Sequence, residues 1–458
     1  MQVATIDDLQ AGNSLPVNTN AYLNHLLSLS PALEEQGLDA TAIVFLKSLH
    51  DYATVQLQEL TFPTTRDEDW RFTDLSSLLK TTFHSVASPG LALEDCTELL
   101  APEATQAQLV FVNGHYAPEL SDLSALPQGV VVGNLAQVWQ QQPIQTRLQQ
   151  YLAKQPMGDD PFNALNTAGL KDGAIVWVPR NQVIEFPIQV LFLTSADGLA
   201  AFTQPRCLVV AEPHSSLTLV ESYAHLGAGS TYFTNSVTEV WVEENAQVNH
   251  LRVQQESESS FHIGKTSVSQ ARDAQYTSHA LNFGGQISRH NLEVLLTGEQ
   301  TQTTLNGLTM IGQAQLADTH STIAFTKPYG SSRQLHKCIV DDRARSVFNG
   351  KIFVPKAAQM TNAGQLSRTL LLSPKARVDT KPQLEITADN VKCAHGATVS
   401  QLEADEVFYL QSRGLDHDMA QKLLVYAFAA EVLTQLPLAS VRDRLAQLVR
   451  SRTGISPT

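Results

Sequence analysis

Short β-like runs fill the stretch from Gly173 to Thr398, and this texture constrains the fold more than any other feature of the chain. Runs such as AIVWVP, VTEVWVEE, LEVLLT and GKIFVP are rich in Val, Ile, Leu and Thr, and they are bounded by Gly, Asn, Asp or Pro. Apolar residues three or four positions apart, as in an amphipathic helix, are nearly absent from this stretch. The sequence therefore predicts a large β core.

A turn motif recurs in the same stretch, with an alanine placed before Gln or Arg at the start of a β-prone run. Its alanines are Ala246, Ala274, Ala314, Ala344, Ala358 and Ala376. The gaps between them are uneven, so the repeat has no fixed period. Repetition of single strands at short spacing still favours a parallel β-solenoid, in which each turn contacts only its neighbours. A β-sandwich is the competing fold.

Helical patterns are expected on both sides of this core, so the predicted divisions are a mixed, mostly helical region 1–172, a β-solenoid 173–400 and a helical domain 401–458. Apolar residues three or four apart predict a helix from Asp39 to Leu60, with Asp39 as its N-cap. Asn113-Gly114 predicts a β-hairpin turn, and further helices are expected between Asn134 and Leu170.

The C-terminal domain is predicted to contain an apolar helix between two shorter ones. One stripe of this helix consists of Met419, Leu423, Ala427, Ala430 and Leu433, and it is widened by Leu424, Phe428 and Val432. A stripe this broad is usually buried against another surface. Part of it is expected to cover the open end of the solenoid, because the last turn of a solenoid has unpaired edges.

Charge and composition exclude several classes of protein. The net charge is −14, from 31 basic and 45 acidic residues, which opposes a nucleic-acid-binding surface. No run approaches the roughly 18 apolar residues of a membrane-spanning helix. The acidic, weakly apolar N-terminus is not expected to be a secretory signal. The four scattered cysteines predict free thiols and a reducing, cytoplasmic location.

Sequence signatures of catalysis are missing, so we do not expect an enzyme. The chain has no G-x-x-x-x-G-K-S/T phosphate loop, which predicts that it binds no nucleotide by itself. It also lacks a G-x-S-x-G nucleophile motif and an H-E-x-x-H zinc motif. The Gly284-Gly285 pair lacks the strand-to-helix context of a phosphate site.

Two Cys/His pairs remain as candidate ligands for iron or an iron–sulfur cluster. Cys393 and His395 form one pair, and His336 and Cys338 form a weaker one. Side chains two positions apart on a strand share a face, so each pair could present a thiolate and an imidazole together. Two ligands do not complete a cluster site, which commonly takes four, so a second chain would have to supply the rest. A buried cysteine can equally be a small core residue.

The other histidines of the β region are spread along it and are expected on the surface of the turns, with satisfied hydrogen bonds. They are His214, His225, His250, His262, His279, His290 and His320.

Three segments of the chain resemble the SufB/SufD family of iron–sulfur cluster assembly scaffolds. The longest runs from LSRTLLLSPKARVDT through VKCAHGATVS to DEVFYLQSRGL, and the others are FNALNTAGLKDGAIVWVPRNQVIEFPIQV and DEDWRFTDLSSL. The resemblance implies a right-handed parallel β-helix between an N-terminal helical region and a C-terminal helical domain. Together with the many short β-like runs, the implied helical regions give a predicted α+β fold.

The resemblance also implies partners and a site. It implies a complex of one SufB, one SufD and two copies of the ATPase SufC, with a nascent cluster or iron held transiently at the SufB interface. SufC is expected on the C-terminal helices, for which Met419, Leu423, Leu424 and Phe428 are candidate contacts. His395, in the C-x-H-G-A-T motif, is implied at the cluster interface. A homodimer is possible when SufB is absent, and the plastid stroma is the expected location in a plastid-bearing organism.

Three alternatives stay open, and one of them is a purely structural role in which the chain stabilises SufB and binds no iron itself. SufB-like chains resemble this one, but they carry a Cys in an F-Y-C stretch where this chain has Phe408-Tyr409-Leu410, and they lack the Cys-x-His pair. This chain also has no cysteine cluster near its N-terminus, so the SufD-like branch is favoured. From a different class, a β-helix carbohydrate-active enzyme would fit the solenoid, but the β region is poor in the aromatic residues of sugar platforms.

Overall fold

Two long, mostly parallel β-sheets face each other and form a solenoid of about eight turns. The computed structural model describes residues 19–30, 38–141, 144–156, 158, 160–195, 198–227 and 229–453. Residues 1–18, for which no secretory signal is predicted, lie outside the described residues. In each turn, one strand joins the first sheet and the next strand joins the second. The predicted parallel β-solenoid is confirmed, and the alternative of a β-sandwich is wrong.

The strands lie in the following order. The first sheet contains β2 (His115–Tyr116), β1 (Gln108–Val112), β5 (Ile188–Ser195), β8 (Ser216–Leu226), β10 (Gln247–Gln255), β12 (Gln275–Asn282), β14 (Gln302–Ile311), β16 (Ser331–Val340), β18 (Asn362–Leu371) and β20 (Lys392–Ser400). The second sheet contains β3 (Val131–Asn134), β4 (Ala174–Val178), β7 (Arg206–Ala211), β9 (Tyr232–Val242), β11 (Phe261–Gln270), β13 (Ile287–Leu296), β15 (Leu316–Phe325), β17 (Arg345–Val354) and β19 (Arg377–Ile386), while β6 (Ala201–Thr203) pairs with β9.

Corner residues in the left-handed conformation keep successive turns in register. Asn245 (φ 55°) and Asp273 (φ 59°) adopt this conformation, which Asn and Asp tolerate better than other side chains. The backbone N–H of Asn245 donates to the carbonyl of Arg272 in the next turn at 2.9 Å, and Asp273 donates to Glu299 at 2.9 Å. The corners therefore form a ladder that continues the hydrogen bonding of the sheets.

Most of the predicted turn alanines fill these corners. Ala246, Ala274, Ala344 and Ala358 are fully buried. Ala314 is the exception, because it is exposed and Gln315 takes the buried place. The Gln315 side chain accepts from the N–H of Gly312 at 3.1 Å and thereby closes the turn itself. Assigning Ala314 to the motif was therefore wrong by one position.

The interior of the solenoid is apolar along one side and polar along the other. Valines, leucines and isoleucines stack along the apolar side. On the polar side, His250 Nε2 lies 2.8 Å from a carboxylate oxygen of Glu221, and its Nδ1 lies 2.9 Å from the Tyr276 hydroxyl oxygen. His262 Nδ1 lies 2.7 Å from Glu256. Buried polar groups need such partners, because an unpaired one costs several kcal/mol.

The N-terminal region combines helices with strands that start the solenoid. Its helices are α1 (Thr19–Ser28), α2 (Ala40–Glu59), α3 (Ser76–Leu79), α4 (Leu135–Trp139), α5 (Ile144–Tyr151) and α6 (Pro161–Ala168). Asp39 caps α2 by accepting from the N–H of Ala42 at 2.8 Å, as predicted. The predicted hairpin at Asn113-Gly114 joins β1 to β2, and β1 then pairs in parallel with β5. The region before residue 173 therefore extends the sheets.

One N-terminal segment is attached to the outer face of the second sheet by a buried ion pair. The Arg289 guanidinium pairs with Asp318, and it lies 3.8 Å from the centre of the Trp70 ring. The Thr73 hydroxyl donates to Asp318 at 2.6 Å. The DEDWRFTD segment is thereby held across β13 and β15.

Of the C-terminal helices α7 (Ala404–Ser412), α8 (His417–Leu433) and α9 (Ala439–Thr453), α8 and α9 lie against the outer face of the first sheet, and α7 packs against α8. Val425, Ala429 and Val432 of α8 pack with Leu308 and Ile339 of the solenoid. The expected cap over the open end is therefore wrong, because these helices cover a side of the solenoid. Among the described residues, no helix combines the length and apolar character needed to cross a lipid bilayer.

The buried stripe of α8 also differs from the predicted one. Its buried residues are Ala420, Val425, Ala429, Val432 and Leu433. Apolar residues surround most of this helix, so the spacing alone could not decide which stripe faces the solenoid.

Candidate functional site

The solenoid ends in two strands whose outer edges are free, and we call the edges of β19 and β20 the open end. Each is the last strand of its sheet among the described residues. Their inward side chains are Val378, Thr380, Pro382, Leu384 and Ile386 of β19 and Cys393, His395, Ala397 and Val399 of β20. Ile386 and Val399 are 37% and 48% exposed, although they continue the stacks of interior residues. The open end thus presents unpaired backbone groups around an apolar rim.

Cys393 and His395 lie together on this rim, on the inward face of β20. Cys393 is half-buried and packs against the interior apolar cluster, above Ala363 of β18. Burial raises the pKa of its thiol, which disfavours the thiolate. His395 is exposed, because no described strand follows β20. The structure therefore places an accessible imidazole at the open end, next to a partly covered thiol.

The weaker pair, His336 and Cys338, lies inside the solenoid. The His336 ring stacks on Phe348 with centroids 4.8 Å apart, and burial lowers its pKa to about 4. Cys338 is fully buried and accepts a hydrogen bond from the Ser346 hydroxyl at 3.2 Å. Burial raises the pKa of its thiol to about 11. A role for this pair as ligands stays a prediction, and its burial favours packing.

Several histidines expected on the surface are instead buried. His250, His262 and His290 point into the solenoid and are at most 4% exposed. For Glu221, burial alone would raise the pKa, but His250 and Arg252 lower it to about 2. The buried network of these histidines and Glu221 could not be predicted from the sequence. Alternation shows which residues share a face of a strand, but it does not show which face points into the solenoid.

The described residues do not complete a metal site. No group of three or more His, Cys, Asp or Glu side chains among them is arranged to hold a metal ion. The open end supplies only Cys393 and His395, so further ligands would have to come from outside this part of the chain. The interior carboxylates Glu221 and Glu256 are at most 4% exposed, which gives a glycosidase-type site no support.

A second exposed apolar surface lies on α7 and α8. Phe408, Tyr409 and Leu423 are 70%, 56% and 40% exposed, and we call these three residues the helical patch. Sequence reasoning had proposed Leu423 for this surface and had missed the two aromatic residues. Adjacent exposed aromatic side chains were the available signal, since they are enriched at protein interfaces.

The other proposed contacts on α8 are partly covered. Met419, Leu424 and Phe428 are half-buried. Lys337 of β16 lies 4.1 Å from the centre of the Phe428 ring and donates to its carbonyl at 2.9 Å. Phe428 thus helps to hold α8 on the solenoid, and its role in binding a partner stays a prediction.

Comparison with family models gives two matches that together span most of the chain. Residues 192–428 match a model described as "SUF system FeS cluster assembly, SufBD core domain". Residues 32–190 match the "SufBD protein N-terminal region". The first match covers both the open end and the whole helical patch.

Curated relatives carry related descriptions. An "Iron-sulfur cluster assembly SufBD family protein" of Synechocystis is 46% identical over 430 residues, covering 92% of this chain and 94% of the relative. The "Iron-sulfur cluster assembly protein SufD" of Escherichia coli is 33% identical over 403 residues, covering 87% and 90%. "Protein ABCI7, chloroplastic" of Arabidopsis thaliana is 33% identical over 432 residues, covering 93% and 90%.

Proposed function

Because this chain belongs to the SufBD family of iron–sulfur cluster assembly proteins, we propose that it is the SufD-like subunit of a scaffold formed with SufB and the SufC ATPase. In this role the chain is not itself an enzyme and binds no nucleotide. Its place of action is the cytoplasm, or the plastid stroma in a plastid-bearing organism. The relatives named SufD favour this assignment over a SufB-type paralogue.

The main support for the proposed pairing with SufB comes from the open end. Free strand edges are templates for pairing with another chain, and proteins normally cover or charge them. Here the edges of β19 and β20 frame an apolar rim that includes the exposed side chains Ile386 and Val399. A second solenoid with similar strands could pair with these edges and bury that rim, so SufB is the proposed occupant. In the absence of SufB, a second copy of this chain could use the same end.

Cluster assembly is proposed at this junction. The cluster is cargo here, and His395 is an exposed borderline ligand at the edge that SufB would cover. Cys393 lies beside it, and burial raises the pKa of its thiol. Because the described residues complete no metal site, SufB would have to provide the remaining ligands.

The helical patch is the proposed contact for SufC. It is carried by the helices α7 and α8, so its residues are different from the strand-edge residues proposed for SufB. Phe408 and Tyr409 are large aromatic side chains, which often contribute most to binding at an interface.

The proposed SufB junction is tested by placing a charge on its apolar rim. Val399→Asp should weaken binding to SufB by at least about tenfold, because a buried unpaired carboxylate costs several kcal/mol. Val183→Asp is the matched control, since Val183 is 61% exposed and lies outside the open end. Binding is measured by titrating purified SufB, after circular dichroism has shown that each variant is folded.

Unchanged affinity of Val399→Asp for SufB would show that the partner binds elsewhere. An equal loss with Val183→Asp would show that the effect is not specific to the open end.

A further inference from the structure

A ladder of side-chain amides inside the solenoid leads toward the open end. Gln334 of β16 and Gln365 of β18 occupy paired positions on the inward face of the first sheet. Gln334 Nε2 donates to the Ser321 hydroxyl at 2.8 Å. Gln365 Nε2 donates to Gln334 Oε1 at 2.9 Å. Both donors point back toward earlier turns, so the ladder has a direction.

The ladder stops at an acceptor without a partner. Gln365 is 4% exposed, and its Oε1 has no hydrogen-bond partner among the described residues. A buried polar atom left unpaired costs about 1–3 kcal/mol, so native structures seldom leave one without a use.

A close approach to the opposite sheet fixes the Gln365 amide in place. Gly350 of β17 faces it, and a Cβ added at Gly350 would lie 1.8 Å from Gln365 Nε2. The glycine therefore makes room for the amide, which is confined between the two sheets.

His395 is the next residue in this row of inward-facing side chains. It pairs with Gln365 in the parallel register of β18 and β20. Neighbouring strands lie about 4.8 Å apart, so the imidazole is within reach of the unpaired oxygen. We propose that Gln365 is a positioning residue for His395: rotation of the exposed His395 side chain brings one ring N–H to the unpaired Oε1, which accepts its hydrogen bond.

This hydrogen bond would set the chemistry of the exposed ring nitrogen. A neutral imidazole carries one N–H and one lone pair, so an N–H held by Gln365 leaves the lone pair on the other nitrogen. Histidine ligands are commonly oriented in this way by an acceptor behind them. The inference rests on the proposed function only for the use of that lone pair, which is to bind iron at the partner interface.

The hydrogen bond can be tested in the isolated chain, without SufB or SufC. Histidine labelled with ¹⁵N reports which ring nitrogen is protonated, and the His395→Ala spectrum assigns the signal. At alkaline pH, we expect one tautomer of His395 to dominate in the wild type. In Gln365→Leu, the tautomer ratio should fall by about two- to tenfold, the effect of losing one ordinary hydrogen bond.

Gln383→Leu provides the matched control. Gln383 lies on the outward face of β19, where its amide donates to Asn349 at 2.9 Å, and its loss should leave the ratio unchanged. An unchanged ratio in a folded Gln365→Leu protein would overturn the proposal, as would a Gln383→Leu protein that shifts equally. Neither result depends on cluster assembly, so failure of this inference is distinguishable from failure of the proposed function.

Discussion

Replacing Asp318 with asparagine should destabilise the protein more than any surface substitution of the same kind. Asp318 is 1% exposed beneath the N-terminal segment, where it pairs with Arg289 and accepts from Thr73. Burial alone would raise its pKa, but Arg289 and His320 lower it from 3.8 to about 2. At about 1.4 kcal/mol per pKa unit, this shift corresponds to roughly 2.5 kcal/mol. Asp318→Asn also leaves the buried Arg289 guanidinium without an anionic partner, although its hydrogen bonds to the Asp69 carbonyl and Asn291 remain, so we expect a loss of about 3–5 kcal/mol at pH 7.

The pH dependence has a definite sign. Because the pKa of Asp318 is lower in the folded state than in the unfolded state, its stabilisation is complete above the unfolded value. It is lost as the pH falls through 4 toward 2. The difference in unfolding free energy between wild type and Asp318→Asn should therefore narrow by about 1 kcal/mol between pH 7 and pH 3.

Urea unfolding followed by circular dichroism at several pH values measures both effects. Asp379→Asn is the matched control, because Asp379 pairs with Arg345 at 2.7 Å on the same sheet but is about a quarter exposed. Such a pair should contribute less than about 1 kcal/mol. If Asp318→Asn cost no more than Asp379→Asn, or if its cost did not fall with pH, the buried pair would not be what stabilises this attachment.

Two further predictions concern the helical patch and the close approach at Gly284. Replacing Phe408 and Tyr409 together with alanine should weaken SufC binding by at least about tenfold, because aromatic anchors commonly contribute about 2 kcal/mol each. Tyr52→Ala on α2, where the side chain is 63% exposed, should leave SufC affinity unchanged, and equal losses would reject the patch. Gly284→Ala should lower the free energy of unfolding by about 1–3 kcal/mol, since its Cβ would lie 2.4 Å from the Glu256 carbonyl oxygen. A thermal melt as stable as that of the wild type would show that the two turns can separate without cost.

Local sequence patterns were sufficient to predict the solenoid fold, because its strands, corners and hairpin are each encoded by a few neighbouring residues. Short apolar runs bounded by turn residues identified strands such as AIVWV, and Asn113-Gly114 identified the hairpin at β1. These local patterns did not identify the polar interior of the solenoid around Glu221 and His250. A histidine or glutamate in an alternating strand has the same spacing whether it faces solvent or a buried partner.

The two Cys/His pairs show most clearly why the site could not be read from sequence alone. Both have the same spacing, and both lie on inward faces of the first sheet. His336 and Cys338 are covered by the following strand β18, whereas His395 and Cys393 lie on β20, which no described strand follows. What separates an interior pair from an accessible one is the number of turns stacked beyond it, which neither motif encodes.

Cluster content of the reconstituted complex tests the central claim most directly. The chain is combined with SufB and SufC, and iron and acid-labile sulfide are measured per purified complex. We predict that His395→Ala forms the complex but loses iron and sulfide together, while Cys393→Ala has a milder effect. His417→Ala, which removes an exposed histidine at the start of α8, should load clusters like the wild type. A His395→Ala complex that carries wild-type amounts of iron and sulfide would contradict the assignment of the open end as the site of cluster assembly.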